Sequence, residues 1–349
     1  MIVQSIIENV AIFFFLMIPG IILKKCNMIS DGFGKGLSNL VLYIAQPVLV
    51  FMAYVRDFDK DILINSLYVL ILSVVSHTLF SVVAFLVFKK APDLKGRMLK
   101  FATIFSNAAF LGIPLINAVL ESDPTSPLYY PGSTLYASIY NITFNLFLWS
   151  LGVKICTDGR DADGNGIDDY HDAKIEFAQQ VGAKTKTGGS IIKALLHPVT
   201  IAAGLGLLFF ILPINRYITE TKIIFDSLTM LKNLVAPLSM VVIGIRIADI
   251  DLRGVHKDKH MYSFLALRHL VLPLAMVALI KLVELCGIAI HPAVSMVIVI
   301  MAATPAASSA TMFAEKYNCD AAYVSKLVAI STILSIATMP LVIFIFNLL

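Results

Sequence analysis

Charge is what this chain has least of. Asp, Glu, Lys and Arg make up 14% of its 349 residues, against roughly 25% in a soluble globular protein. That scarcity excludes an ordinary water-soluble fold. The formal net charge is only +4, so a nucleic-acid-binding surface is not indicated either. The four cysteines, Cys26, Cys156, Cys286 and Cys319, form no CxxC pair, which argues against a zinc site or a dithiol redox motif. There is no HExxH and no pair of aspartates inside an apolar run. An intramembrane enzyme therefore ranks last among the function classes.

Apolar sequence is what remains. Hydrophobic residues are 58% of the chain and mean hydropathy is +0.85. A membrane-spanning helix needs about 20 apolar residues. Ten such stretches can be marked, at 5–24, 38–55, 63–88, 98–120, 132–153, 191–213, 226–245, 262–284, 293–313 and 323–348. The first has no basic region ahead of it and no small-residue cleavage site behind it, so it is expected to be a retained helix. The expected class is an all-α membrane protein with ten transmembrane helices.

Lys and Arg resist translocation and so set orientation. They crowd the loops after spans one, three, five and seven, as in Lys24, Lys25, Lys89, Lys90, Arg97, Lys154 and Arg246. The alternate loops hold little beyond Arg56, Lys60, Arg216 and Lys222. Both termini are therefore expected outside the cytoplasm.

The chain divides around a polar segment. Residues 1–155 form one five-span half, 156–190 a cytoplasmic polar loop and 191–349 a second half. "AQPVLVFMAYVRDFD" (45–59) matches "VAPLSMVVIGIRIADID" (235–251): Pro47, Arg56 and Asp59 recur as Pro237, Arg246 and Asp249 at an offset of 190. Pro114 and Pro305 lie 191 apart, each in the fourth span of its half. An odd number of spans per half inverts the second half. Inverted repeats with matching interrupted helices, binding solute at their interface, are an architecture of secondary transporters.

Proline removes a backbone donor and clashes with the carbonyl four residues back. The runs Gly112-Ile113-Pro114 and Ala303-Thr304-Pro305 are thus expected to leave the helical path. Small residues let two broken segments approach, and half-helix N-termini attract anions. Asn107, Thr304, Ser308 and Ser309 would add polar contacts. Asn141 and Asn145 share a face of span five, and Ser331 and Thr332 hold the corresponding place in span ten. Arg268 is an intramembrane cation, with two readings: balancing a bound carboxylate, or snorkelling to the surface. His77 and His269, at an offset of 192, are candidates for a proton relay or for structural hydrogen bonding.

The loop "DADGNGIDDYHD" (161–172) places Asp161, Asp163, Asn165, Asp169 and Asp172 at the first, third, fifth, ninth and twelfth places of a calcium loop. Ile167 and the final Asp depart from an ordinary EF-hand and sit closer to a thrombospondin type 3 repeat. A solvated acidic linker is the plainer reading.

The segments "NAAFLGIPL" (107–115), "YASIYNITFNLFLWSLGV" (136–153) and "ATPAASSATMFAEKYNCDAAYVSKLVAISTILSIATMPL" (303–341) resemble the auxin efflux carrier family. The resemblance implies two inverted five-helix repeats, with a scaffold from the first two helices of each and a moving transport domain from the last three. It implies broken fourth and ninth helices crossing at the site, and dimerisation through the scaffold. Plant relatives export the auxin carboxylate; prokaryotic relatives are associated with small organic acids such as malate or malonate. The short central loop resembles the prokaryotic members. The family's glycine-asparagine pair is Ser106-Asn107 here. Transferred by motif, the crossing positions are Pro114 and Pro305; with the polar residues read from the spans, the expected substrate-binding set is Asn107, Gly112, Pro114, Asn141, Arg268, Thr304, Pro305, Ser308 and Ser309, with no cofactor unless calcium occupies the loop. The expected function is alternating-access transport of a small organic anion. A membrane sensor that binds the same ligand is the alternative.

Overall fold

A computed structural model describes residues 2–30, 32–91, 93–126, 128–157, 195–212, 214–248, 250 and 257–349. The acidic loop with Asp161, Asp163, Asn165, Asp169 and Asp172, and also Asp249, lies outside them. The described residues are helical, with no strand.

Seven helices are long and apolar enough to span a bilayer. They are α1 (Ile7–Lys25), α2 (Phe33–Ala53), α3 (Lys60–Lys90), α6 (Ser133–Thr157), α8 (Lys222–Ala248), α9 (Lys259–Leu285) and α12 (Ala321–Leu348). Three shorter apolar helices join them: α5 (Ala108–Glu121), α7 (Pro198–Ile211) and α10 (Pro292–Ala303). Helix α4 (Asp93–Ile104) leads into α5, and α11 (Ser309–Lys316) follows α10. Outward-facing apolar side chains such as Phe15, Leu67, Leu86 and Met230 are well exposed, as lipid contact requires.

Proline breaks fewer of these helices than its chemistry suggests. Pro47, Pro114 and Pro273 each sit just after a five-residue π segment, at Val41–Ala45, Ala108–Gly112 and Leu267–Val271. The wider π turn gives the ring room, and such bulges often mark functional sites. At Pro114 the carbonyl that a residue-114 amide would meet in i→i−5 spacing is Ala109 O, and the Gln46 side chain donates to it at 2.8 Å. The expected break at Gly112-Ile113-Pro114 is therefore absent. The chain leaves the helical path earlier, between Ile104 and Ala108.

Close packing ties the two halves together. Gly20 of α1 faces the Val241 carbonyl of α8, and Gly244 of α8 faces the Met17 carbonyl of α1, with no room for a Cβ at either. Reciprocally, Gly206 of α7 lies flat against the Tyr54 ring at the end of α2. Small residues let helix backbones approach this closely.

Contacts at the two ends of the molecule sort the loops. At one end Cys319, after α11, reaches the Cys156 carbonyl of α6, and Tyr323 bonds Asp258 ahead of α9. At the other, Arg56 after α2 pairs with Glu121 at the end of α5, and Asn215 after α7 bonds Asp57.

Candidate functional site at the crossing of two interrupted helices

The two chain breaks meet. An antiparallel bridge pairs Ser106 with Ala306. The Asn107 amide donates to the Pro305 carbonyl at 2.7 Å, and the Ala307 amide donates to the Phe105 carbonyl at 2.9 Å. Each break thus satisfies donors and acceptors that the other has freed, which a buried backbone inside a bilayer must achieve. Pro305 lies in the crossing. Pro114 lies seven residues (114 minus 107) past it, so the two prolines at offset 191 are not partners across the bridge.

The meeting point is closed to solvent: Ser106 is 1% exposed, Asn107 2%, Thr304 0% and Ser308 3%. Asn107 Nδ2 donates to Ser308 Oγ at 3.1 Å, and Ser308 immediately precedes α11, whose first residue is Ser309. Gly112 presses on Met301: a Cβ there would fall 2.6 Å from its Sδ. Thr304 turns its hydroxyl back to the Met301 carbonyl, while its methyl lies toward Gly112.

Arg268 is fully buried, which rules out snorkelling. Its guanidinium donates to four carbonyl contacts: Thr103 at 3.1 Å, Ala302 at 3.2 Å and Thr304 at 3.1 and 2.7 Å. The Phe80 ring covers it at 5.3 Å. Those carbonyls are the orphaned C-terminal acceptors of α4 and α10. Each helix end carries about half a negative charge, so two of them match one guanidinium. Arg268 is a clamp on the crossing and not a free cation facing solute.

A second chain of bonds holds the backbone from the other side. The Ala306 amide donates to Ser331 Oγ at 2.9 Å, and Ser331 bonds His269 Nε2 at 2.9 Å. His269 Nδ1 bonds Thr338 Oγ1 at 2.9 Å, and Thr338 itself donates to the Leu334 carbonyl. The direction is therefore fixed: Nδ1–H donates and Nε2 accepts. His77 donates Nδ1–H to the Ser73 carbonyl at 2.8 Å, and its buried Nε2 has no partner among the described residues. Asn141 is 1% exposed, and its Oδ1 has no partner among the described residues. Asn145 is buried too, whereas Thr332 bonds within its own helix.

Three residues outside the sequence-derived set reach this region. Arg246 donates to the Ser308 carbonyl at 2.8 Å and to Ser38 Oγ at 3.1 Å. Gln46 reaches the first turn of α5. Glu121 accepts from Arg56 and from the Gly132 and Thr134 amides. Gln46 was detectable as a polar residue in an apolar run; Arg246 and Glu121 sit at span ends, where charge is unremarkable.

A cavity of about 290 Å³ opens between Asp57, Phe58, Phe210, Ile211, Leu212, Asn215 and Arg216. It lies at the ends of α2 and α7, away from the crossing.

The model of a family described as "Membrane transport protein" matches residues 5–343. The chain is also similar to an uncharacterized transporter of Methanothermobacter thermautotrophicus (strain Delta H). The two are 24% identical over 344 residues, which cover 98% of each chain.

Proposed function

The chain belongs to this membrane transport protein family, and from that premise we propose that it carries a small organic anion, a carboxylate, across the cell membrane by alternating access. The observation that carries the reading is the pairing of the two breaks through Ser106 and Ala306. Behind that bridge the C-terminal ends of α4 and α10 are neutralised by Arg268. Ahead of it the N-terminal ends of α5 and α11 keep their positive character, which favours an anion. Asn107 and Ser308 stand at those ends and would orient it.

The reading includes two inverted five-helix repeats making ten membrane passages, with both termini outside. The reciprocal packing of α1 on α8 and α7 on α2 supports it. Helices α1, α2, α7 and α8 would form the static bundle, and the crossing helices with α3, α6, α9 and α12 the moving one.

Labelled dicarboxylate uptake into proteoliposomes tests this. Wild type should move the unaltered anion, and Asn107→Ala should slow it about tenfold or more. Carboxylate binding without flux would favour the sensor. Flux unchanged by Asn107→Ala would remove the crossing as the site.

A further inference from the structure

We infer that Cys156 and Cys319 form an oxidisable dithiol: a hydroperoxide converts the pair to a disulfide that staples the end of α6 to the turn between α11 and α12, and reduction reverses it. The pair's chemistry is independent of which solute is carried.

The two cysteines are 163 residues apart in the chain, so no spacing motif announces them, yet folding puts them together. Cys319 Sγ lies 3.5 Å from the Cys156 carbonyl, and the two thiols are in hydrogen-bond contact with each other. The local backbone explains the placement. Helix α11 runs out at Asn318, which has φ +52°, a left-handed conformation that asparagine tolerates. The Cys319 amide donates back to the Ala314 carbonyl at 2.8 Å, and the Asn318 amide to the Glu315 carbonyl at 3.4 Å, the pattern of a Schellman stop. Asp320 then caps α12 by accepting from the Tyr323 amide at 2.9 Å. Cys319 is thus held in a defined turn between two helix ends. Phe313 of α11 packs on Phe101 of α4 and Trp149 of α6, which keeps that turn against the end of α6.

The two thiols differ in access. Cys156 is 1% exposed, so an oxidant in solution does not reach it. Cys319 is half-buried and is the sulfur that such an oxidant meets. Arg97 of α4 bonds the Cys319 side chain as well, and among the described residues no carboxylate pairs with that guanidinium. The hydrogen bond from Cys156, with the Arg97 charge, holds the Cys319 thiol below its ordinary pKa, against the opposing effects of burial and of Asp320. The thiolate is the attacking form.

The chemistry balances with hydrogen peroxide as oxidant. The Cys319 sulfur attacks one peroxide oxygen; an S–O bond forms, the O–O bond breaks, and the departing hydroxide takes a proton to become water. Cys319 is then a sulfenic acid. Cys156 gives up its proton and attacks that sulfur; the S–S bond forms, the S–O bond breaks, and a second water leaves. The two thiols lose two electrons and two protons, and the peroxide is reduced to two waters. On the orientation proposed above, this end of the molecule faces the cytoplasm, where thiols are kept reduced. The pair is therefore open at rest and closes under peroxide.

The test uses the full chain in detergent with Cys26→Ser and Cys286→Ser, treated with hydrogen peroxide and digested without reductant. A peptide linking Cys156 to Cys319 should appear as both free thiols disappear together, and dithiothreitol should reverse it. With Cys156→Ser added, Cys319 should stop at the sulfenic acid and be trapped by dimedone. With Cys319→Ser added instead, Cys156 should react about tenfold more slowly or not at all. Arg97→Gln should slow linkage about fivefold near pH ~7 and little near pH ~10, where the thiol ionises without help; a merely structural role for Arg97 would slow both alike. Dimedone-trapped Cys319 in the two-cysteine protein with no link to Cys156 overturns the dithiol. So does peroxide that consumes Cys26 and Cys286 of wild type while leaving Cys156 and Cys319 free.

Discussion

Replacing Arg268 by glutamine separates a clamp from a ligand residue. The structure gives the guanidinium four bonds to carbonyls of Thr103, Ala302 and Thr304, all in the dry interior. Glutamine offers one amide in place of a planar fork. Most of those acceptors lose their donor, and two helix C-termini lose their balancing charge. Breaking a buried, charge-compensated set by removing one partner costs about 3–5 kcal/mol, a large share of a typical stability of roughly 5–15 kcal/mol. At roughly 2 °C per kcal/mol for a chain of this size, the melting temperature in detergent should fall by about 6–10 °C. Arg268→Lys should fall less, since a point charge with three donors recovers the electrostatics but not the fork. Flux should fall with folded protein, and the preference among anions should stay as in wild type. A variant that melts like wild type but has lost carboxylate binding would refute the reasoning and make Arg268 a solute contact.

Two other perturbations address the packing around the site. Gly244→Ala places a methyl against the Met17 carbonyl of α1 and should cost about 1–3 kcal/mol by forcing the helices apart. Gly36→Ala, whose Cβ would meet nothing within 4 Å, should be neutral or slightly stabilising by helix propensity; thermal melts of the two decide it. At the other end, Arg56→Gln and Glu121→Gln should each destabilise by about 1–2 kcal/mol. Combined, they should cost less than the sum by at least about 0.5 kcal/mol, because the 2.7 Å pair is shared.

Long elements were legible in the sequence because a bilayer demands long apolar runs. Each of the seven long helices and three shorter ones overlaps a stretch marked from hydropathy alone, with ends that differ by up to several residues. The site was legible in outline. Asn107 and Ser308 were named from their polarity in apolar surroundings, and they do touch each other. Pro114 was misread for a physical reason: a proline breaks a helix only if nothing else absorbs the lost bond. Here a π segment and the Gln46 side chain absorb it. The true interruption is announced by Ser106-Asn107, and only tertiary pairing with residues 305–307 reveals it. Arg268 was noticed as a buried cation, but its partners are backbone carbonyls from two distant segments, which no side-chain pattern encodes. Arg246 was read as an orientation marker at a span end, because sequence does not tell which way a long side chain turns.

The most direct measurement concerns the crossing itself. In a variant with Cys26, Cys156, Cys286 and Cys319 replaced, Ser106→Cys and Ala306→Cys should bring two thiols within bonding reach. Paired residues in an antiparallel bridge lie about 4.5–5.5 Å apart at Cα, within the span of a disulfide. Mild oxidation should link them within one chain, and because both lie in the same bundle the linked protein should still carry solute. Free thiols after oxidation would contradict the account.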